Sequence, residues 1–345
     1  MIAALVVTVG TFAPATRTNA LDRAPQGKGP DVRFGINPWD LARFLGQVPE
    51  FVGANVGSLR FDVPWQQIEP RPGQYQWATL DSVVAVSQVN RTAILITLRS
   101  LSTWGTRLPM QANDPSYHGA SSPTEMPRWE AFVSAMALRY KGRNVAYEIE
   151  NEPNSAFWGG TMDEYLVLLK ATYAAITTSD PQARVVSGAL ACHCAMNMRN
   201  AMVTRRENDS LDAWQKAILA THAFNVIGVH DYYFPDHAIN GWTFESYLHH
   251  VQDLASAAHC DRCPIWITET GFVSRPQVAG TRIDPGSLDN QARWAKQAYR
   301  QAFDRGVERV FWLFLKDHPG AGYFATMGLE EADGTPRPAL KALSL

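Results

Sequence analysis

The sequence predicts an α/β protein, a single-domain (β/α)8 TIM barrel, and three observations carry that expectation. Short apolar, β-branched segments alternate with longer amphipathic ones, the pattern of repeated strand–helix units on a parallel sheet. Eight such strand segments occupy roughly 310 residues, the number that closes a barrel of this kind. The first strand segment ends Phe34-Gly35-Ile36-Asn37-Pro38-Trp39. It lacks the glycine-rich phosphate loop that a doubly wound open sheet usually carries at that point.

In chain order the predicted strands are residues 32–37, 57–61, 93–98, 145–150, 184–189, 226–231, 265–269 and 309–314. Between them, residues 127–140, 162–177 and 290–305 repeat apolar side chains at three- and four-residue spacing, as amphipathic helices do. Pro153, Gly188 and Gly271 punctuate strand ends. Ahead of the barrel, residues 1–20 read as a leader. An apolar run from Ile2 to Val9 precedes Thr18-Asn19-Ala20, a small-x-small cleavage pattern. The basic stretch that normally opens a signal peptide is missing, so a disordered tail is the other reading. Residues 21–345 form the expected barrel domain.

Hydrophobic residues make up 46% of the 345, enough for a substantial core. The formal charge is -2, from 31 basic and 33 acidic residues, with no basic stripe, which argues against a nucleic-acid partner. No segment approaches ~20 uninterrupted apolar residues, so no integral membrane segment is expected. The expectation is a monomer, secreted or periplasmic. The 11 Trp, 11 Tyr and 15 Phe suit dense packing, and equally a cleft whose rings stack on the apolar faces of sugars. The cysteines come as two close pairs, Cys192 with Cys194 and Cys260 with Cys263. One or two disulfides would suit export; free thiols and a zinc site are the alternatives. The first pair follows strand five and the second precedes strand seven, on opposite barrel faces, which disfavours one shared metal.

In a barrel of this kind, catalytic groups gather where strand C-termini meet their loops. The polar residues at those ends are Asn37, Asp62, Arg99, Asn151 with Glu152, His193, His230 with Tyr232, Glu269, and Lys316 with Asp317. The fourth strand end, Tyr147-Glu148-Ile149-Glu150-Asn151-Glu152-Pro153-Asn154, sets three glutamates at alternate positions. Alternate strand residues share a face, and crowded buried carboxylates are unfavourable unless paired. Two carboxyls facing one glycosidic bond are the minimal equipment for sugar hydrolysis, one protonated and one ionised. Glu152 and Glu269 are the two at strand ends.

Asn151-Glu152-Pro153 with the later Glu269 resembles the signature of glycoside hydrolase clan A, retaining enzymes on (β/α)8 barrels. Leu59-Arg60-Phe61-Asp62-Val63-Pro64-Trp65, Ile68-Glu69-Pro70 and Gly73-Gln74-Tyr75-Gln76-Trp77 are similar to the second unit of such enzymes. His230-Asp231-Tyr232 is similar to their sixth strand end. Phe311-Trp312 to Asp317, Gly328-Leu329 and Asp333-Gly334-Thr335-Pro336-Arg337-Pro338 resemble their last strand and closing segment. The resemblance runs from Val32 to about Leu340 and is greatest to family 39 and its polysaccharide-cleaving relatives, with family 5 next.

It implies a glycosidase that cleaves β-linked oligo- or polysaccharide by double displacement, without metal or organic cofactor. Glu152 would be the acid/base and Glu269 the nucleophile. Asn151 would bind a sugar 2-hydroxyl, Tyr232 would hold the nucleophile, and His230 would lie between the carboxyls. Arg60 would pair with Glu148 and keep Glu269 ionised. Trp312 is either a platform beneath the sugar or outer-layer packing; Trp104, Trp158 and Phe272, which follow strands three, four and seven, either line sugar subsites or pack in the core or a lid. Glu150 departs from the pattern, which more often has an aromatic there. A bulge turning it outward and a place in the cleft are the two readings. A transglycosylase on the same barrel and a catalytically silent glycan-binding barrel are the alternative functions.

Overall fold

Eight parallel strands wind in chain order around one axis: β1 Asp31–Asp40, β2 Val56–Pro64, β3 Ala93–Arg99, β4 Val145–Ile149, β5 Val185–Val186, β6 Ile227–His230, β7 Ile265–Thr270 and β8 Arg309–Leu313. The computed structural model describes residues 30–40, 47, 51, 54, 56–108, 119–191, 211–232, 243–274 and 288–343. The expected leader, and the Cys192–Cys194 segment with His193, lie outside them. Neighbouring strands pair β5-β4-β3-β2-β1-β8-β7-β6. The remaining seam, β5 to β6, is stitched by the Val186–Val226 bridge and by Ser187 N–H donating to Val226 O at 3.0 Å. The barrel is therefore nearly closed.

The fifth strand is shorter than its sequence suggests. The apolar run continues, but its backbone leaves the ladder after Val186. Gly188 N–H donates to the Tyr165 hydroxyl at 3.0 Å, and the Ser187 hydroxyl accepts from Gly228 N–H at 3.1 Å.

Helices α1 Ala78–Val89, α2 Met126–Arg139, α3 Met162–Ser179, α4 Leu211–Thr221, α5 Phe244–Ala257, α6 Leu288–Asp304 and α7 Pro338–Leu343 cover the barrel. The amphipathic spacing read from sequence falls on α2, α3 and α6, with ends shifted by one or two residues. Thr161 and Glu164 form a capping box at the start of α3, and Thr243 with Ser246 does the same for α5. Each satisfies amide groups that a first helical turn leaves open. The buried rows Trp129, Phe132, Val133 and Met136 of α2 and Trp294, Ala295, Ala298, Tyr299 and Ala302 of α6 pack on the outer faces of the strands. Among the described residues no helix is long and apolar enough to cross a membrane.

Inside the barrel, side chains change character with height. Leu95, Ala146, Val186, Val226, Trp266 and Phe311 form a separate apolar floor. Two residues further along β3, β4, β6 and β7, the period of the pleat, the same face carries Thr97, Glu148, Gly228 and Thr268. The next step brings Arg99, Glu150 and His230. These four strands are apolar where they only need to pack and polar where they approach their C-terminal ends.

Cys260 and Cys263 form a disulfide just before β7, with Cα atoms 5.2 Å apart. It lies at the end of the barrel away from the strand C-termini, where the sequence places it.

Candidate active site

Glu152 and Glu269 come together at the C-terminal mouth, from the loop after β4 and from β7. With His230 they place one donor atom each within 4.8 Å of one another. Their side chains are 15% and 14% exposed, so both carboxyls open onto the mouth while most of each is enclosed.

The two carboxyls have different company. Glu269 Oε1 accepts from Arg60 Nη1 at 2.7 Å and from Asn37 Nδ2 at 3.1 Å; its Oε2 accepts from the Tyr232 hydroxyl at 2.6 Å. Burial by itself would raise the Glu269 carboxyl, but His230, Arg60 and Tyr232 together hold it below the usual carboxylate range. Glu152 Oε1 lies 2.9 Å from His230 Nδ1, and the same nitrogen is 3.7 Å from Glu269 Oε2. His230 is fully buried. Burial works against its charged form, yet the negative charges of Glu269 and Glu152 raise it overall. Arg60 touches Glu269 and not Glu152, so fixed positive charge falls on one carboxyl of the pair.

Beneath this pair, Arg60 Nε donates to Glu148 Oε2 at 2.6 Å and Nη2 to Asn151 Oδ1 at 2.8 Å. Glu148 also accepts from Thr97 and Thr268, each at 2.8 Å. This buried glutamate is thus fully engaged as the sequence reading expects, and it locks Arg60 below the nucleophile position.

The strand stops at Ile149, and the next residues break its alternation. Glu150 and Glu152 both adopt left-handed backbone, φ 64° and 44°, on either side of Asn151. Such conformations carry strain of about 1–3 kcal/mol each for non-glycine residues and collect at functional sites. Backbone bonds from Glu150 N–H to Leu98 O and from Glu152 N–H to Ala189 O, both 3.0 Å, hold the segment across neighbouring strands.

Glu150 corrects the sequence reading: it is neither turned outward nor set in the cleft. It is fully buried, accepting from Arg99 Nε at 2.9 Å and from Ser100 N–H at 2.5 Å. Arg99 also donates through Nη1 to Asp62 Oδ2 at 2.8 Å. Burial raises the Asp62 carboxyl more than Arg99 and Arg60 lower it, and the charge of Glu269 adds to the rise.

For Trp312, Trp158 and Phe272 the structure takes the packing reading and not the sugar-contact one. Trp312 is wholly buried, with its ring centroid 5.5 Å from that of Trp294 on α6 and Nε1 donating to Met327 O. Phe311 takes the inward position on β8, so the pleat sends Trp312 to the outer layer. Trp158, 2% exposed, donates to Thr161 O at 2.9 Å and packs edge-on against Tyr165, bracing the start of α3. Phe272 is buried against Trp294. Trp104 is partly exposed, packed on Trp65 and donating to Glu69 O. Asp317 belongs to the closing segment, where it accepts from Arg337 at 2.5 Å.

Two residues gain a role that the sequence does not show. Asn37 is a strand-end polar residue whose contact with Glu269 spans most of the chain. Trp39, at the end of β1, is only partly buried, has φ 79°, and packs against Phe314 and His318. Among the described residues, Glu152, His230 and Glu269 are the one grouping spaced to hold a metal ion. The carboxylate oxygens of Glu269 already accept from Arg60, Asn37 and Tyr232, and a cation there would face the Arg60 guanidinium.

No protein-family model and no curated protein sequence matches the chain. Solved structures do. A family 39 glycoside hydrolase from the gut symbiont Bacteroides cellulosilyticus WH2 is similar at TM-score 0.64 and 17% identity, over 91% of this chain and 63% of that one. An exo-β-1,4-mannosidase from Opitutaceae bacterium strain TAV5 is similar at 0.62 and 17%, over 91% and 58%. Xylanase 10B from Thermotoga maritima is similar at 0.59 and 14%, over 91% and 94%. The chain spans less than two thirds of the first two proteins. What is shared at such identities is the fold: this chain has the barrel on which these clan A glycoside hydrolases are built, and it sets a glutamate at the end of the fourth strand and another on the seventh.

Proposed function

We propose that the chain is a retaining glycoside hydrolase acting on β-linked oligo- or polysaccharide by double displacement. The observation that carries this reading is the opposed pair at the mouth: one carboxylate oxygen of Glu152 and one of Glu269 lie within 4.8 Å of each other, and of the two only Glu269 is paired with arginine. Retaining enzymes set their carboxyl groups ~5–5.5 Å apart, and inverting ones ~6.5–9.5 Å, to leave room for a water.

In this mechanism Glu269 is the nucleophile. Arg60 and Tyr232 keep it ionised, and His230 adds positive charge nearby. Its carboxylate attacks the anomeric carbon while Glu152 donates a proton to the departing glycosidic oxygen. The glycosyl–Glu269 ester is then attacked by water, from which Glu152 takes the proton, restoring both groups. Asn151, whose oxygen is held by Arg60, offers its amide nitrogen to the sugar 2-hydroxyl. The similarity to solved glycosidases supports the substrate class. The Cys260–Cys263 disulfide supports a place outside the reducing cytoplasm.

The test is turnover on a panel of β-linked polysaccharides and aryl β-glycosides. Glu152→Gln and Glu269→Gln should each lower kcat by at least about 10³-fold with folding intact, since removing a group that acts as part of a unit abolishes most of its effect. Near-normal kcat in either variant refutes that residue's role. Products formed with added acceptor sugars separate hydrolysis from glycosyl transfer.

A further inference from the structure

Two arginines at the mouth are wired alike. Arg60 sets Nε on a fully buried glutamate, Glu148, at 2.6 Å, and Nη1 on Glu269, which is 14% exposed, at 2.7 Å. Arg99 sets Nε on a fully buried glutamate, Glu150, at 2.9 Å, and Nη1 on Asp62, which is 16% exposed, at 2.8 Å. The arginines come from adjacent strands, β2 and β3, and are themselves almost completely enclosed. Asp62 lies two residues beyond Arg60 on β2, so it shares the inward face, one step nearer the opening.

In the first set the open carboxylate is the proposed nucleophile. Resting on that glycosidase reading, we infer that the second set serves the same cavity: Asp62 is a substrate-binding residue that accepts a hydrogen bond from a hydroxyl of the sugar ring seated against Glu269.

Neutralising Arg99 does not require Asp62, because Glu150 already matches its charge inside the barrel. A second enclosed carboxylate is unfavourable unless it gains something further. Asp62 is as open as Glu269, although every other member of the two sets is closed off. Only Oδ2 is engaged by Arg99, and Oδ1 has no partner among the described residues. Asp62 is the next inward residue above Arg60, whose Nη1 holds Glu269 at 2.7 Å, so a ring held against one lies beside the other. Glu150 then acts as a positioning residue. Its left-handed backbone brings the buried carboxylate onto Arg99, which turns Asp62 toward the opening.

The experiment compares kcat/KM of the wild type, Asp62→Ala and Asp62→Asn on 4-nitrophenyl β-D-glucoside, β-D-galactoside, β-D-mannoside and β-D-xyloside, with the thermal midpoint of each protein. These probes place one sugar against Glu269, and the galactoside, mannoside and xyloside each differ from the glucoside at one position, O4, O2 and the C6 hydroxymethyl respectively. Asp62→Asn keeps an oxygen for Arg99 and the original shape, and it decides the matter if Asp62→Ala does not fold. The expected result is a loss of roughly 10- to 100-fold on the best substrate, the range for a hydrogen bond to a charged group. The loss should be much smaller on the glycoside that lacks or inverts the contacted hydroxyl, so the ranking of sugars changes. Equal kcat/KM in the variants, or a uniform loss that leaves the ranking intact, overturns the inference and leaves the glycosidase reading standing. A wild type inactive across this panel and on β-linked polysaccharides overturns both.

Discussion

Asn151 sits between two strained glutamates, and the hydrogen bonds of its neighbours define which carboxyl does what. Glu269 is held ionised mainly by His230, Arg60 and Tyr232 acting against burial, so its acid-side titration should fall below the usual 4.5. The nucleophile must be charged. The acid limb of kcat/KM should therefore lie below that value, with activity lost only as the pH drops through it. Removing the Tyr232 hydroxyl deletes one of the interactions that lower Glu269. Tyr232→Phe should move the acid limb to higher pH and lower kcat/KM by roughly 10- to 100-fold, the worth of a hydrogen bond to a charged group. A pH–rate profile of the two proteins checks both statements. An unmoved limb would mean that Tyr232 does not set the charge of the nucleophile.

At the scale of the strand, the pleat decides more than residue type does. The eight strands, the helices α2, α3 and α6, and the polar residues at strand ends are legible in sequence because apolar periodicity and chain punctuation are local. The face a strand residue occupies is legible only when polar and apolar residues alternate. Phe311-Trp312-Leu313-Phe314 is apolar throughout, so nothing local shows that Phe311 points inward and Trp312 outward. Glu150 fails for a different reason: its partner Arg99 is brought beside it by the register of β3 against β4, and charge pairing across strands has no local signal.

Both placements have measurable consequences. Trp312→Phe should leave KM within about 3-fold of wild type while lowering stability by about 1–3 kcal/mol, because it removes buried ring volume and the hydrogen bond to Met327 O; a large rise in KM would restore the sugar-platform role. Arg99→Leu strands Glu150 without its partner and should cost about 3–5 kcal/mol in urea unfolding.

Across the whole molecule, the apolar floor, the Arg60–Glu148 layer and the open carboxyls form successive storeys of one cylinder, so closure of the barrel determines the spacing at the top. The β5–β6 seam is its thinnest part. A Cβ at Gly228 would meet Ser187 O at 2.3 Å and Glu148 Oε1 at 3.2 Å. Gly228→Ala should therefore force the seam apart, at about 1–3 kcal/mol for overpacking, and reduce turnover as the Glu148–Arg60 layer shifts. Chemical unfolding together with kcat reads this; wild-type values for both would show that the seam does not bear on the site.

The central claim is that two opposed carboxyls act in succession on the same face-inverting carbon. The anomeric configuration of the first sugar released from a β-linked substrate, followed by proton NMR before mutarotation, tests it most directly. Two inversions return the β anomer first, with the α anomer appearing only as the product equilibrates. Initial appearance of the α anomer would mean a single displacement by water and would contradict Glu269 as nucleophile.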